Sequence, residues 1–478
     1  MAGIDRLTRC KEDAVSEARA PAAPPSDGAV MELTNAGLDA ARAAAGVTGA
    51  SIAVWDGAAL TTAVAGVRNS ATGDPITEDT VMQIGSITKI FNAVLVMQLV
   101  DDGLIALEDP VVKHLPDFEL RDRAARDRIT CGMLLNHTSG IDGIFIPDHG
   151  PDRERIEDAM PRIAELEQLH PPGGGPSYNN AAVVVAGYLA QRVRGTSWYT
   201  LVRERIYEPL GMRHALADLT DLPRFRVSVG DLTDPATGAM VQTTRPFLPL
   251  SFAPAGATLM MTASDLVTFG RAMMSGGVGP NGGRVLSRES AERMVRPTVR
   301  MILPAEQQWG LGWMLLPDGL VHHGGGGPGV SSLLYAHPSS GRVLALLTNC
   351  DKHGALEPAI VDPLLESWTG KSRTPPEPAI VGPVDPTPYL GVYENVIFRF
   401  RVMASEGGLA IAVTTKDRVY DNVATDEPPP ARLDPIGDDR FKGVPGTHLA
   451  RVRFAEPDPT GRMQVLAGAG FLLTRRSG

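Results

Sequence analysis

The chain has 478 residues, 43% of them hydrophobic, and a net charge of −10, which suits one large folded unit with a smaller one beside it. An acidic chain with no Lys/Arg cluster has nothing to attract a phosphate backbone, so nucleic acid is excluded as a partner, and no apolar run is long enough to span a membrane. Cys10, Cys131 and Cys350 are an odd, scattered set with neither metal spacing nor a disulfide framework.

Residues 1–28 are rich in Ala and Pro, carry charge throughout and lack an apolar signal-peptide core; a loose N-terminal segment of a cytoplasmic protein is expected. A helix is expected over residues 31–44. Two apolar runs, 50–55 and 60–65, joined through Asp56-Gly57, predict a β-hairpin. Next comes Ser86-Ile87-Thr88-Lys89, then an apolar run over 90–100, of helix length, with Gly103 as its stop. Ser86 would stand at the helix start, where free N–H groups favour negative charge. Lys89 would lie one turn on, along the same face. A serine hydroxyl becomes a good nucleophile when a base takes its proton, and a partly buried lysine can be that base. The same pattern also fits a capping serine and a surface lysine.

Beyond the turn-rich residues 171–177, Tyr178-Asn179-Asn180 opens a second apolar run of helix length, 181–194. A phenol at that junction can shuttle a proton, and the Asn180 amide can both donate and accept. Asn180 as a helix N-cap is the competing interpretation. The third motif is His323-Gly324-Gly325-Gly326. As a strand, its glycines let a substrate lie close and leave N–H groups for an oxyanion; as a loop, it would hold only solvated histidines. Runs 333–335 and 343–348 predict further strands, and helical patterns fill the middle. Strands from both ends of residues 29–373 with helices between them predict an α+β domain, an antiparallel sheet flanked by helices.

Residues 374–388 contain six prolines and predict a semi-rigid linker. Over 389–478, short alternating runs separated by turns predict a small β-barrel or sandwich. Arg399, Arg401, Arg451, Arg453 and Arg475 alternate with apolar residues there, as expected of a solvated face.

Taken in order, the three motifs resemble the serine β-lactamase and penicillin-binding protein family, with Y-x-N and H-x-G in the places of the S-D-N and K-T-G elements. That combination is similar to the class C-type branch: esterases, D-amino-acid peptidases, acyltransferases and the penicillin-binding-protein-type thioesterases that cyclise nonribosomal peptides. Leu134-Leu135-Asn136-His137-Thr138-Ser139-Gly140, Pro254-Ala255-Gly256 and Trp309-Gly310-Leu311-Gly312-Trp313 fit the same family, over residues 35–370. The resemblance implies a serine hydrolase or acyltransferase that forms an acyl-enzyme on Ser86 from an ester, thioester or amide. It implies that Lys89 and Tyr178 move the proton and that Asn180 and His323 position the acyl chain. The N–H groups of Ser86 and Gly326 would hold the oxyanion, with Gly325 beside them, and a lipocalin-like domain would follow the linker. No metal or organic cofactor is implied. The expected partner is a small-molecule or peptide acyl substrate, a carrier-bound peptide thioester included. His323 in place of Lys, and the lack of an acid that marks a deacylating water, imply poor hydrolysis of penicillins. One alternative is a cytosolic thioesterase that cyclises a nonribosomal peptide; another, of a different class, is a non-catalytic penicillin-binding sensor.

Overall fold

The computed structural model describes residues 33–144, 155–234, 237–302, 307–373, 377–416, 429–444, 449–468 and 470–476. Cys10 and the expected loose segment 1–28 lie outside the described residues, as do residues 374–376 of the expected linker. Thr34 accepts from the Gly37 N–H and so starts helix α1 (Asn35–Ala45) later than residue 31. Strands β1 (Gly49–Trp55) and β2 (Leu60–Asn69) form the expected hairpin, with Ala50 opposite Ala65. The Asp56 carboxylate closes its turn by accepting from Ala58 and Ala59.

Helix α2 (Thr88–Asp101) is buried from Thr88 through Leu99. A helix apolar all round belongs at the centre of a large domain, and α2 is packed by α3 (Asn180–Arg194) and α4 (Ala263–Met274). Phe91 stacks on Phe269 at 3.7 Å. Asn92, the more deeply buried of the two amides in α2, is satisfied: it donates to Val183 O and accepts from the Trp198 indole, as a buried polar group requires.

The glycine run is a strand. β3 (Val321–Gly327) pairs with β4 (Val330–His337) through every glycine, and β4 pairs with β5 (Arg342–Thr348). β5 then pairs with β1, Ser51 opposite Leu347, which brings the two ends of this region into one sheet. The order is β3-β4-β5-β1-β2, all antiparallel, with two-residue strands extending both edges. β1 is buried on both faces, so the sheet is covered on both sides. Small sheets of short strands, Thr80–Gln83 and Met260–Met261 among them, occupy part of the middle where helices alone were expected.

The C-terminal strands β6 (Gly391–Glu394), β7 (Phe398–Ser405), β8 (Gly408–Thr415), β9 (Ala431–Gly437), β10 (Arg440–Lys442), β11 (Arg451–Pro457), β12 (Met463–Gly468) and β13 (Phe471–Arg475) close into an antiparallel barrel. Tyr393, Phe400, Leu433, Phe441, Phe454 and Leu466 are buried in its core. Eight strands enclose a space that side chains can fill. The arginines split: Arg399, Arg401 and Arg451 reach solvent, whereas Arg475 is half-buried and donates to Met463 O, and the Arg453 Nε is buried without a partner. The proline segment is not a free spacer along its described length, because Val381 donates to Pro435 O and Pro388 O accepts from Met463. Among the described residues no helix is long and apolar enough to cross a membrane.

The barrel sits directly on the sheet-and-helix region. Val465, Ala467 and Leu472 on its outer surface pack with Ile302, and Arg476 pairs with Glu167 at 2.8 Å. At this junction Asp142 is 2% exposed, and its Oδ1 has no hydrogen-bond partner. Burial pushes its carboxyl up to about 6, against the pull of the Val396 N–H, Lys416 and Arg476 and with the push of Glu167. A carboxyl raised above its unfolded value of 3.8 weakens the fold as pH climbs through about 6, because folding then buries a charge. Asp142→Asn should therefore stabilise the protein above pH 6 by up to roughly 3 kcal/mol and flatten the slope of stability between about pH 4 and 6. Denaturant titrations across that window test this; an unchanged slope in the variant would show that Asp142 is not the titrating group.

Candidate active site

Ser86 lies in a single 3₁₀ turn, Gly85–Ile87, that leads into α2. Lys89 is on the first turn of α2, and its Nζ stands 2.9 Å from Ser86 Oγ. The same Nζ donates to Ala255 O at 2.6 Å. Lys89 is 2% exposed, and burial alone holds its amine well below the usual lysine range. Among the described residues no carboxylate pairs with it to restore the charge.

Three backbone strips meet at Ser86. Gly85 has φ 49°, and a Cβ there would stand 2.5 Å from Gly326 N. A Cβ on Gly256 would meet Ser86 N at 3.0 Å, and one on Gly325 would meet Ile84 O at 2.0 Å. Only glycine lets these strips approach so closely. The Ser332 hydroxyl ties β4 to Ile84 O at 2.8 Å. The amides of Ser86 and Gly326 thus stand on neighbouring backbone strips.

Tyr178 approaches from the start of α3. Its ring centroid is 4.9 Å from Lys89 Nζ, and its hydroxyl faces the Ser86 side chain. Burial raises the phenol far above its ordinary value, with the Ser86 contact pulling the other way, so the hydroxyl stays protonated. The N-cap of α3 is Asn179, whose Oδ1 accepts from Ala182 N–H, and not Asn180. Asn180 is instead the first helical residue, and its buried Oδ1 has no partner. His323, on β3, is 1% exposed and 6.2 Å from the Tyr178 ring, centroid to centroid. Its Nδ1 faces Gly324 O at 2.6 Å and must carry a proton to bond it. Burial first, then nearby Lys89, holds the imidazole neutral, which leaves a bare Nε2 with no partner. The site therefore has no fixed cation at the third motif.

Ser86, Lys89, Tyr178, His323, Gly325 and Gly326 are brought together around one point, and Asn180 follows Tyr178 on the same helix start. Other neighbours had no role assigned from sequence. Ala255 O receives Lys89. Trp309 packs 5.6 Å from His323 and 6.0 Å from Tyr178. His137 packs 4.7 Å from Tyr178. All three lie in phrases that fit the family, which was the only signal for them. Nothing in the sequence marks the barrel's part: Tyr178 N–H donates to Gly470 O at 2.9 Å, and Leu472 N–H donates to Ser177 Oγ at 3.1 Å. The β12–β13 turn is thereby bonded to the backbone of the tyrosine loop.

The Beta-lactamase family model matches residues 35–361. Penicillin-binding protein 4 of Amycolatopsis lactamdurans is 35% identical over 371 residues, spanning 75% of this chain and 96% of the relative. Among solved structures, SurE superposes with a TM-score of 0.72 at 26% identity, over 92% of this chain and 98% of its own, so the likeness takes in the barrel. SurE with D-Leu gives a TM-score of 0.69 at 27% identity over 92% and 98% of the two chains. A D-stereospecific amidohydrolase from Streptomyces gives 0.56 at 28% identity, over 68% of this chain and 98% of its own. With the fold, the three motifs and these matches in agreement, the chain belongs to the β-lactamase family, a family of serine-hydrolase type.

Proposed function

We propose that this protein is an acyl-enzyme hydrolase or acyltransferase in which Ser86 is the nucleophile, acting on an amide, ester or thioester of a D-configured amino-acid residue. The observation that carries this reading is the 2.9 Å separation of Ser86 Oγ from the buried Lys89 Nζ, which no described carboxylate recharges. Lys89, held neutral, takes the Ser86 proton as Oγ attacks the carbonyl. The N–H groups of Ser86 and Gly326 receive the oxyanion, where preorganised donors stabilise developing charge. Tyr178, held protonated, gives its proton to the leaving group and is resupplied from Lys89. Water or an amine then enters by the reverse path. The unpartnered Oδ1 of Asn180 and Nε2 of His323 are acceptors, suited to N–H groups of a peptide-like acyl chain. The D-configuration is suggested by SurE with D-Leu and by the D-stereospecific amidohydrolase.

Because His323 is neutral, a β-lactam carboxylate would find no cation at the third motif. Nitrocefin turnover should fall well below turnover of a D-aminoacyl p-nitrophenyl ester, and comparable rates would overturn this assignment of His323. A second reading, peptide cyclisation, draws on the barrel turn bonded to the tyrosine loop, which can shield an acyl-enzyme from water while the substrate's own amine returns. A linear peptide thioester ending in a D-residue with a free N-terminal amine tests both readings by mass. Ring product supports the cyclase, and free acid alone leaves the hydrolase. No turnover of D- or L-forms would sink both.

A further inference from the structure

His137 grips the catalytic tyrosine's loop on both sides. Its carbonyl accepts from Ser177 N–H at 2.9 Å, and its ring Nδ1 accepts from Asn179 N–H at 3.1 Å. Tyr178 is the residue between those two donors. The imidazole then lies on the tyrosine ring, 4.7 Å between centroids, and meets Trp309 edge to face at 4.4 Å. His137 is 1% exposed and holds a left-handed backbone, φ 63°, that a non-glycine side chain rarely adopts. Backbone strain of this kind collects at functional sites. Here it turns the chain so that one residue presents both its carbonyl and its ring to the same loop. No role for His137 follows from the motifs.

The bonding also sets the tautomer. A backbone N–H only donates, so Nδ1 must be bare, and the ring's single proton is on Nε2. An imidazolium would lose the Asn179 bond and set a positive charge near Lys89. Burial, with Lys89 as the second cause, holds the ring neutral down to about 3. His323 carries the opposite tautomer, since its Nδ1 must donate to Gly324 O. Tyr178 thus packs 4.7 Å from one neutral imidazole and 6.2 Å from another, centroid to centroid.

We infer that His137, in its Nε2-protonated form, is a positioning residue that aims the Tyr178 hydroxyl at the leaving group. This rests on the proton-donor role proposed for Tyr178. A positioning role predicts dependence on the leaving group. An amide leaving group needs the tyrosine's proton; p-nitrophenolate does not.

The test uses the full chain, an intact-mass check that wild type is acylated on Ser86, and two variants. In His137→Asn, Oδ1 replaces Nδ1 as acceptor, and Asn tolerates positive φ. In His137→Gln, the amide is displaced one carbon outward and the acceptor is lost. His137→Gln should lower kcat on a D-amino-acid amide by about 100-fold, with KM little changed, as for loss of a general acid. It should leave turnover of the p-nitrophenyl ester nearly intact, and His137→Asn should recover most of the amide rate. Equal loss on both substrates, or wild-type amide kcat in His137→Gln, overturns the inference. Absence of the wild-type adduct would instead refute the serine mechanism itself. If neither variant folds, nitrogen NMR of the wild-type imidazoles decides. Nδ1 should remain unprotonated between pH 6 and 9, and a protonated Nδ1 refutes the arrangement.

Discussion

Ser86→Ala should abolish the covalent adduct formed with a fluorophosphonate or p-nitrophenyl ester, and lower turnover by roughly 10⁴-fold or more, as when other serine nucleophiles are removed. The fold should survive. Ser86 is only partly buried, and its hydroxyl's neighbours are Lys89, which keeps its bond to Ala255 O, and Tyr178. The measurement is intact mass before and after reagent, beside a thermal melt. An adduct of unchanged size in Ser86→Ala would place the nucleophile elsewhere and end the acyl-enzyme proposal.

Lys89 offers the second large effect, and its sign depends on charge. Burial drives the amine toward its neutral form, and the free base is the form the proposed mechanism uses. Activity should fall as pH drops through the depressed Lys89 value and the amine becomes an ammonium. Lys89→Met should cost roughly 10²–10⁴-fold in kcat. Lys89→Arg should be as impaired, because a guanidinium never becomes a base in proteins. Burial lowers the amine's value in the folded chain relative to the unfolded one, so burying Lys89 in charged form costs stability. Lys89→Met should then leave stability near neutral pH unchanged or improved. A Lys89→Arg enzyme with near-normal kcat would show that lysine serves here as a cation and would reverse the proton path.

What could be seen in the sequence was whatever one segment determines by itself. Ser86 and Lys89 share one helix start, so their spacing implies their proximity, and the hairpin turn at Asp56 is as local. The glycine run was ambiguous because four glycines carry no side-chain pattern; pairing with β4 decides it. Ala255 O reaches Lys89 across 166 residues of sequence, and His137 reaches Asn179 across 42. Such contacts depend on how helices and sheet pack, which no local spacing encodes. Two barrel strands, β9 and β10, carry little of the alternation that marks the others. Pro435 and Gly437 interrupt β9, and its register with β10 shifts between them, so the apolar alternation that marks a strand is broken. The competing interpretation of Asn180 as the cap fails because a cap must stand just outside the first helical residue, which is where Asn179 lies.

The hydrogen bond from Tyr178 N–H to Gly470 O has a consequence for how damage to this protein would be read. A lesion in the barrel interior, at Phe441 or Phe454 for example, lies on strands far along the chain from Ser86. Yet it would loosen the β12–β13 turn and with it the loop that carries Tyr178, the proposed proton donor. In a screen scored by turnover, such alleles would be mistaken for defects of catalysis.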